Sequence, residues 1–164
     1  MKTYKIINNL VGWLVFAIAA FTYCSTIEPT ASFWDCPEFI TTAYKFEVGH
    51  PPGAPFFMMV GKFFTLFADD PTQVAKMVNT MSALLSAGCI LFLFWTITHL
   101  SRKLIVRGER EMTVANIIAI MACGVCGSLI YTWSDTFWFS AVEGEVYAFS
   151  SFFTALVFWL ILKW

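Results

Sequence analysis

The chain has 164 residues, of which 59% are apolar, 18% aromatic and only 13% charged. This is too apolar for a soluble domain of ordinary composition, so the bilayer is its solvent. A net charge of −1 leaves no basic footprint for nucleic acid, and none is expected as a partner.

A helix needs about 20 apolar residues to cross a hydrocarbon core of about 30 Å. Stretches of that kind place spans at 6–27, 79–100, 114–133 and 146–162. The expected fold is therefore all-α and integral to the membrane, with four transmembrane helices and a helical first outer loop. Residues 54–68 are apolar too, but Gly61 and Lys62 interrupt them, which suits a segment lying in the interface.

Lys2 and Lys5 precede the first span, Arg102, Lys103, Arg107 and Arg110 join the second to the third, and Lys163 follows the fourth. Basic residues collect on the cytoplasmic side, so both termini are expected there. Glu28, Asp35, Glu38, Glu47, Asp69, Asp70, Asp135, Glu143 and Glu145 then fall on the opposite face. Lys2, Lys5 and Ala17-Ile18-Ala19 also have the outline of a secretory signal peptide, but the uncharged run continues well past that site.

The first outer loop, 28–78, opens with Asp35-Cys36-Pro37-Glu38, where a capping residue, a first-turn proline and an acid at N3 predict a helix running to about Glu47. Gly49 ends it, and His50-Pro51-Pro52-Gly53 is expected to be extended and stiff. A second helix is expected over 55–68. Asp70-Pro71-Thr72-Gln73 is a further capping box that launches the second span. In the second outer loop, 134–145, Ser140 and Glu143 have the spacing to cap the fourth span, and Trp133 and Trp138 suit the membrane surface.

Cys89, Cys123 and Cys126 lie inside spans. Gly124 and Ser128 have the small-residue spacing for close helix approach, so the Cys123-x-x-Cys126 pair is expected to pack rather than react. Cys24 and Cys36 share the outer side, and their pairing is left open.

Three features can carry chemistry. Asp35 and Glu38 lie one helical turn apart beside the membrane surface, where a carboxylate can act as general base, or merely cap. Next, the prolines after His50 either form a rigid corner or hold the imidazole where it contacts a phosphate or orients a carboxylate. Glu143 and Glu145 follow an apolar run, where charge costs about 2.5–3.5 kcal/mol at mid-membrane, so they sit at a rim or line a polar cavity near Asp35, as candidate substrate contacts. Two acidic loops on one face suit a divalent cation, yet no ligand spacing is specific enough to assign a metal, and no cofactor is expected.

WDCPEFITTAYKFEVGHPPGAP at 34–55, preceded by one span and followed by a surface segment and a second span, resembles the N-terminal part of a GT-C glycosyltransferase. More narrowly, it resembles a protein O-mannosyltransferase-like bacterial membrane family, and AVEGEVYAF at 141–149 is similar to that family's segment before the fourth span. The resemblance implies sugar transfer from a polyprenyl-phosphate donor to a protein hydroxyl, on the periplasmic face of a bacterial inner membrane. Asp35 matches the catalytic aspartate, which takes the hydroxyl proton in a single, inverting displacement. Glu38 is its partner, displaced from the side-by-side pair of classical members by Cys36 and Pro37. The resemblance also implies that His50 supports the site and that Lys45 or Lys62 faces the lipid phosphate. Enzymes of that superfamily have seven or more spans. The chain is thus expected to be part of a longer enzyme, to work beside further helices or another subunit, or to be a non-catalytic four-helix subunit scaffolding a larger complex.

Overall fold

The computed structural model describes residues 2–51, 53–106 and 112–164, and every regular element in them is helical. Arg107 and Arg110, which contribute to the basic side in the sequence reading, lie outside the described residues, as does Pro52. The elements are α1 (Lys2–Ser25), α2 (Cys36–Lys45), α3 (Pro55–Thr65), a short 3₁₀ turn (Pro71–Gln73), α4 (Val74–Ile105), α5 (Val114–Thr132), α6 (Asp135–Ala141) and α7 (Val146–Lys163).

Four of these are long and apolar enough to cross a membrane: α1, α4 with its 3₁₀ lead, α5 and α7. At 1.5 Å per residue the 32 residues of α4 extend about 48 Å, well beyond a 30 Å core. At least one end of α4 therefore stands outside the lipid, and α2, α3 and α6 pack on this helix. The 11 residues of α3 reach only about 16 Å. That helix packs on α2 and α4, and Phe56, Met59, Phe63 and Phe67 face outward, which suits the interface.

α4 is the central post, with α1, α5 and α7 packed around it. The first core runs through Val15, Ala19, Tyr23, Ala87, Ile90, Phe94 and Ile120. Gly124 lies directly against α4, since a Cβ there would come within 2.7 Å of the Phe94 ring and 2.6 Å of the Thr98 methyl. Helices in lipid associate by such close packing. Cys123 and Cys126 point outward as free thiols, while Ser128 is buried with its hydroxyl donating to the Gly124 carbonyl at 2.6 Å.

A second core, at the end of the bundle where α4 begins, joins α2, α3, the start of α4 and α7 through Phe39, Ile40, Phe57, Met58, Val78, Met81 and Phe149. Phe57 bridges the Phe39 and Phe149 rings at 5.5 and 5.8 Å. Four local expectations shift. The Gly53 N–H donates to the His50 carbonyl at 2.9 Å, so the chain turns there instead of running extended. α2 stops at Lys45, because Phe46 turns left-handed at φ 59° and its N–H reaches back to the Ala43 carbonyl, so the helix does not run on to Glu47. α3 ends at Thr65 rather than 68. Ser140 belongs to α6 and does not cap the fourth span, whose N-cap is Glu145 without a side-chain cap bond.

Candidate functional site

The chain leaving α1 is pinned before it reaches the acidic motif. The Asn79 amide on α4 donates to the Glu28 carbonyl at 2.7 Å and the Thr30 carbonyl at 3.1 Å. The Glu28 N–H donates to the Val142 carbonyl at 3.2 Å, and the Trp138 indole N–H to the Thr26 hydroxyl at 2.9 Å. The loop after α1 and the segment from α6 to α7 therefore meet at one end of the bundle. Gly144 makes this approach possible, since a Cβ would lie 2.9 Å from Asn79 Oδ1 and 3.2 Å from the Ile40 side chain.

Asp35 occupies the N-cap position of α2, but its side chain makes no cap hydrogen bond. Glu38, at N3, does not reach back to complete a capping box either. It turns to His50: Oε1 accepts the His50 backbone N–H at 2.6 Å, and Oε2 lies 3.0 Å from His50 Nδ1. The backbone bond, followed by the imidazole, holds the Glu38 carboxyl below its usual range. The same contact, then the charges of Glu38 and Asp35, push His50 upward. The imidazole also rests 5.8 Å from the Phe39 ring. Of the two roles open to His50 in the sequence, this geometry favours orienting a carboxylate.

Glu143 and Glu145 are buried, at 4% and 7% exposure. Burial raises the Glu143 pKa most, with the charge of Glu28 adding to it and the Ser32 hydroxyl opposing it. Glu145 is raised by burial, then by the charges of Glu143 and Asp35. Cys36, buried among these groups as a free thiol, is raised chiefly by burial, while Cys24 is exposed and also free.

Asp35, Glu38, His50, Glu143 and Glu145 thus share one region. The two lysines do not. Lys45 is exposed in the last turn of α2, about 15 Å along the helix from Asp35. Lys62 donates to the Tyr44 carbonyl at 2.6 Å and lies over the Tyr44 ring, so it serves the far end of α2. Among the described residues no three acid, histidine or cysteine side chains converge to hold a metal ion.

The sequence reading missed Phe33 and Trp34, 91% and 89% exposed immediately before Asp35, with Trp34 left-handed at φ 68°. Two aromatics placed beyond the end of a span were the available signal. It also missed Glu28, Ser32 and Asn79 as neighbours of the buried glutamates, for which no local pattern exists.

Residues 35–164 match the family model for the protein O-mannosyl-transferase TMEM260 N-terminal domain, a match that begins at Asp35 itself. The chain belongs to the TMEM260 N-terminal domain family. It is 26% identical over 148 residues to the protein O-mannosyl-transferase tmem260 of Dictyostelium discoideum, covering 90% of this chain and 16% of that protein. It is 27% identical over 150 residues to the protein O-mannosyl-transferase TMEM260 of Mus musculus, covering 91% of this chain and 19% of that protein. The chain thus spans less than a fifth of these TMEM260 relatives. Both come from eukaryotes, whereas the motif resemblance points to a bacterial membrane. No solved structure matches the chain. Asp35, Glu38, His50, Glu143 and Glu145 all fall within the residues matched to the TMEM260 domain.

Proposed function

We propose that this chain is the motif-bearing N-terminal module of a membrane glycosyltransferase. It transfers a sugar from a polyprenyl-phosphate donor to a protein hydroxyl on the non-cytoplasmic face. The sorting of basic residues supports this orientation, with the termini cytoplasmic. The bacterial inner membrane and its periplasmic face belong to the same proposal, through the motif resemblance.

One observation carries the reading: Asp35 stands where a capping residue belongs, and its carboxylate makes no hydrogen bond to the helix. It is half-buried beside the interface, and no ion pair engages it among the described residues. A serine or threonine hydroxyl is a poor nucleophile near neutral pH. Asp35 accepts its proton as the oxygen bonds to the anomeric carbon, and the lipid phosphate leaves with the electrons of the broken bond, inverting that carbon. Glu38 is already engaged by His50, so the pair acts as a positioning unit that holds the loop after α2 against the Asp35 turn. Glu143 and Glu145 form the inner wall of the site.

The test is Asp35→Asn in the full-length protein, with transfer to an acceptor protein and membrane abundance both measured. Lost transfer at normal abundance supports the role. Unchanged transfer removes Asp35 from the mechanism and leaves this turn only to shape the loop.

A further inference from the structure

The opposite end of the bundle carries a cavity that this proposal does not use. α1 and α7 both pack on α4, but they share no substantial interface, and a cleft remains between them. At the basic end it widens to a cavity of about 430 Å³, lined by Lys5 from α1, Arg102 from α4 and Lys163 from α7. The Arg102 guanidinium lies 5.3 Å from the Tyr4 ring centre and the Lys163 ammonium 5.2 Å from that of Trp159. Both cations are held over aromatic faces at the cavity wall.

Three buried polar atoms among the lining residues have no hydrogen-bond partner: Asn8 Oδ1, Trp95 Nε1 and His99 Nε2. Leaving such groups unmet costs about 1–3 kcal/mol each; Trp95 Nε1 is closed off against Gly12, but Asn8 on α1 and His99 on α4 flank the cavity from two helices and suit a polar occupant. Below them Trp13 and Trp95 meet edge to face at 6.2 Å, and Trp95 and Trp159 lie 5.3 Å apart. Trp13 also lines a second groove of about 370 Å³, walled by Phe16, Phe64, Leu84 and Phe152. A cationic, hydrogen-bonding chamber therefore opens through shared tryptophan into an apolar track along α4.

We infer that this cleft binds an anionic phospholipid from the leaflet at the basic end. The phosphate sits among Lys5, Arg102 and Lys163, headgroup hydroxyls meet Asn8 and His99, and an acyl chain runs past Trp13 into the apolar groove. A free phosphate would fill the chamber but not the groove. A further apolar helix would fill the groove but leave three cations, Asn8 and His99 uncompensated. An amphiphile satisfies both, and the inference is independent of the chemistry proposed for Asp35.

The test uses the full-length protein in nanodiscs of mixed phosphatidylglycerol and phosphatidylcholine, extracted gently and read by native mass spectrometry for retained lipid. The wild type is expected to retain phosphatidylglycerol selectively. Lys5→Gln, Arg102→Gln and Lys163→Gln are each expected to weaken retention by about fivefold, the equivalent of about 1 kcal/mol per cation at an anionic surface. Asn8→Leu and His99→Leu keep every cation and are also expected to lose selectivity, whereas Lys103→Gln, exposed and outside the cavity, is expected to keep it. Equal losses in Lys103→Gln and the cavity variants would reduce the effect to diffuse surface charge and overturn the proposal. Displacement of the lipid by inorganic phosphate, or a cysteine cross-link from position 8 to a later helix of the same protein, would overturn it in favour of a free anion or a helix.

Discussion

Asp35-Cys36-Pro37-Glu38 and Asp70-Pro71-Thr72-Gln73 are nearly the same phrase, an aspartate and a proline opening a helix with a polar residue at the third position, and the fold uses them in opposite ways. Asp70 behaves as the phrase promises. It is extended at φ −146°, it accepts the Thr72 N–H at 2.7 Å and the Thr72 hydroxyl, and those bonds hold its carboxyl below the usual range. Asp35 has already entered the helical region at φ −85°, ψ −11°, which turns its side chain away from the N–H groups it would cap. Trp34, left-handed just before it, takes the chain's reversal instead. A carboxylate consumed by backbone is structural. One left over at the same kind of turn is available for chemistry.

The comparison breaks most visibly in activity. Asp35→Asn is expected to lower transfer by about 10²- to 10⁴-fold, the usual contribution of a positioned general base, with little change in folded yield. Asp70→Asn is expected to leave transfer nearly intact, and comparable losses in the two variants would end the distinction. Stability should reverse the ranking. Asp70→Ala is expected to cost about 1 kcal/mol by thermal melting in detergent, the worth of a helix cap, while Asp35→Ala stays within about 0.5 kcal/mol.

Smaller effects concern the acids around Asp35. Because Glu38 is shifted down and His50 up, their charged contact is complete between the two shifted values. Its contribution fades as pH falls through the lowered value of Glu38 and as pH rises through the raised value of His50. In Glu38→Gln, the His50 titration followed by NMR is expected to move to lower pH, and an unmoved titration would show that the contact does not form. Glu143 and Glu145 have the opposite sign for carboxylates. Burial raises them, so the stability they lend is present at low pH and lost as pH rises through their raised values. Glu143→Gln is expected to flatten that decline in melts taken from mildly acidic to neutral pH, and an unchanged slope would place the charge elsewhere.

Much of the architecture was legible because lipid imposes a length rule. Four uncharged runs of the required span, with bases at one end and acids at the other, leave few arrangements for a helical bundle. The candidate site was legible only in outline. Spacing placed Asp35 and Glu38 on one turn, but it does not reveal that Glu38 points to His50, twelve residues on, because that bond depends on where the loop after α2 returns. Lys62 looked free to meet a phosphate. The α2–α3 contact places it under the Tyr44 carbonyl instead.

By itself, the sequence determined the solvent of this protein, its four spans, and the split between an acidic and a basic end, all of which follow from composition along a single line. Only the tertiary structure decided which aspartate was spent on a helix and that Glu143 and Glu145 are buried beside the motif loop. It also decided that Lys5, Arg102 and Lys163 share one chamber. The last two of those facts join groups far apart in the chain, and α4, on which the other helices pack, is the post that brings them together.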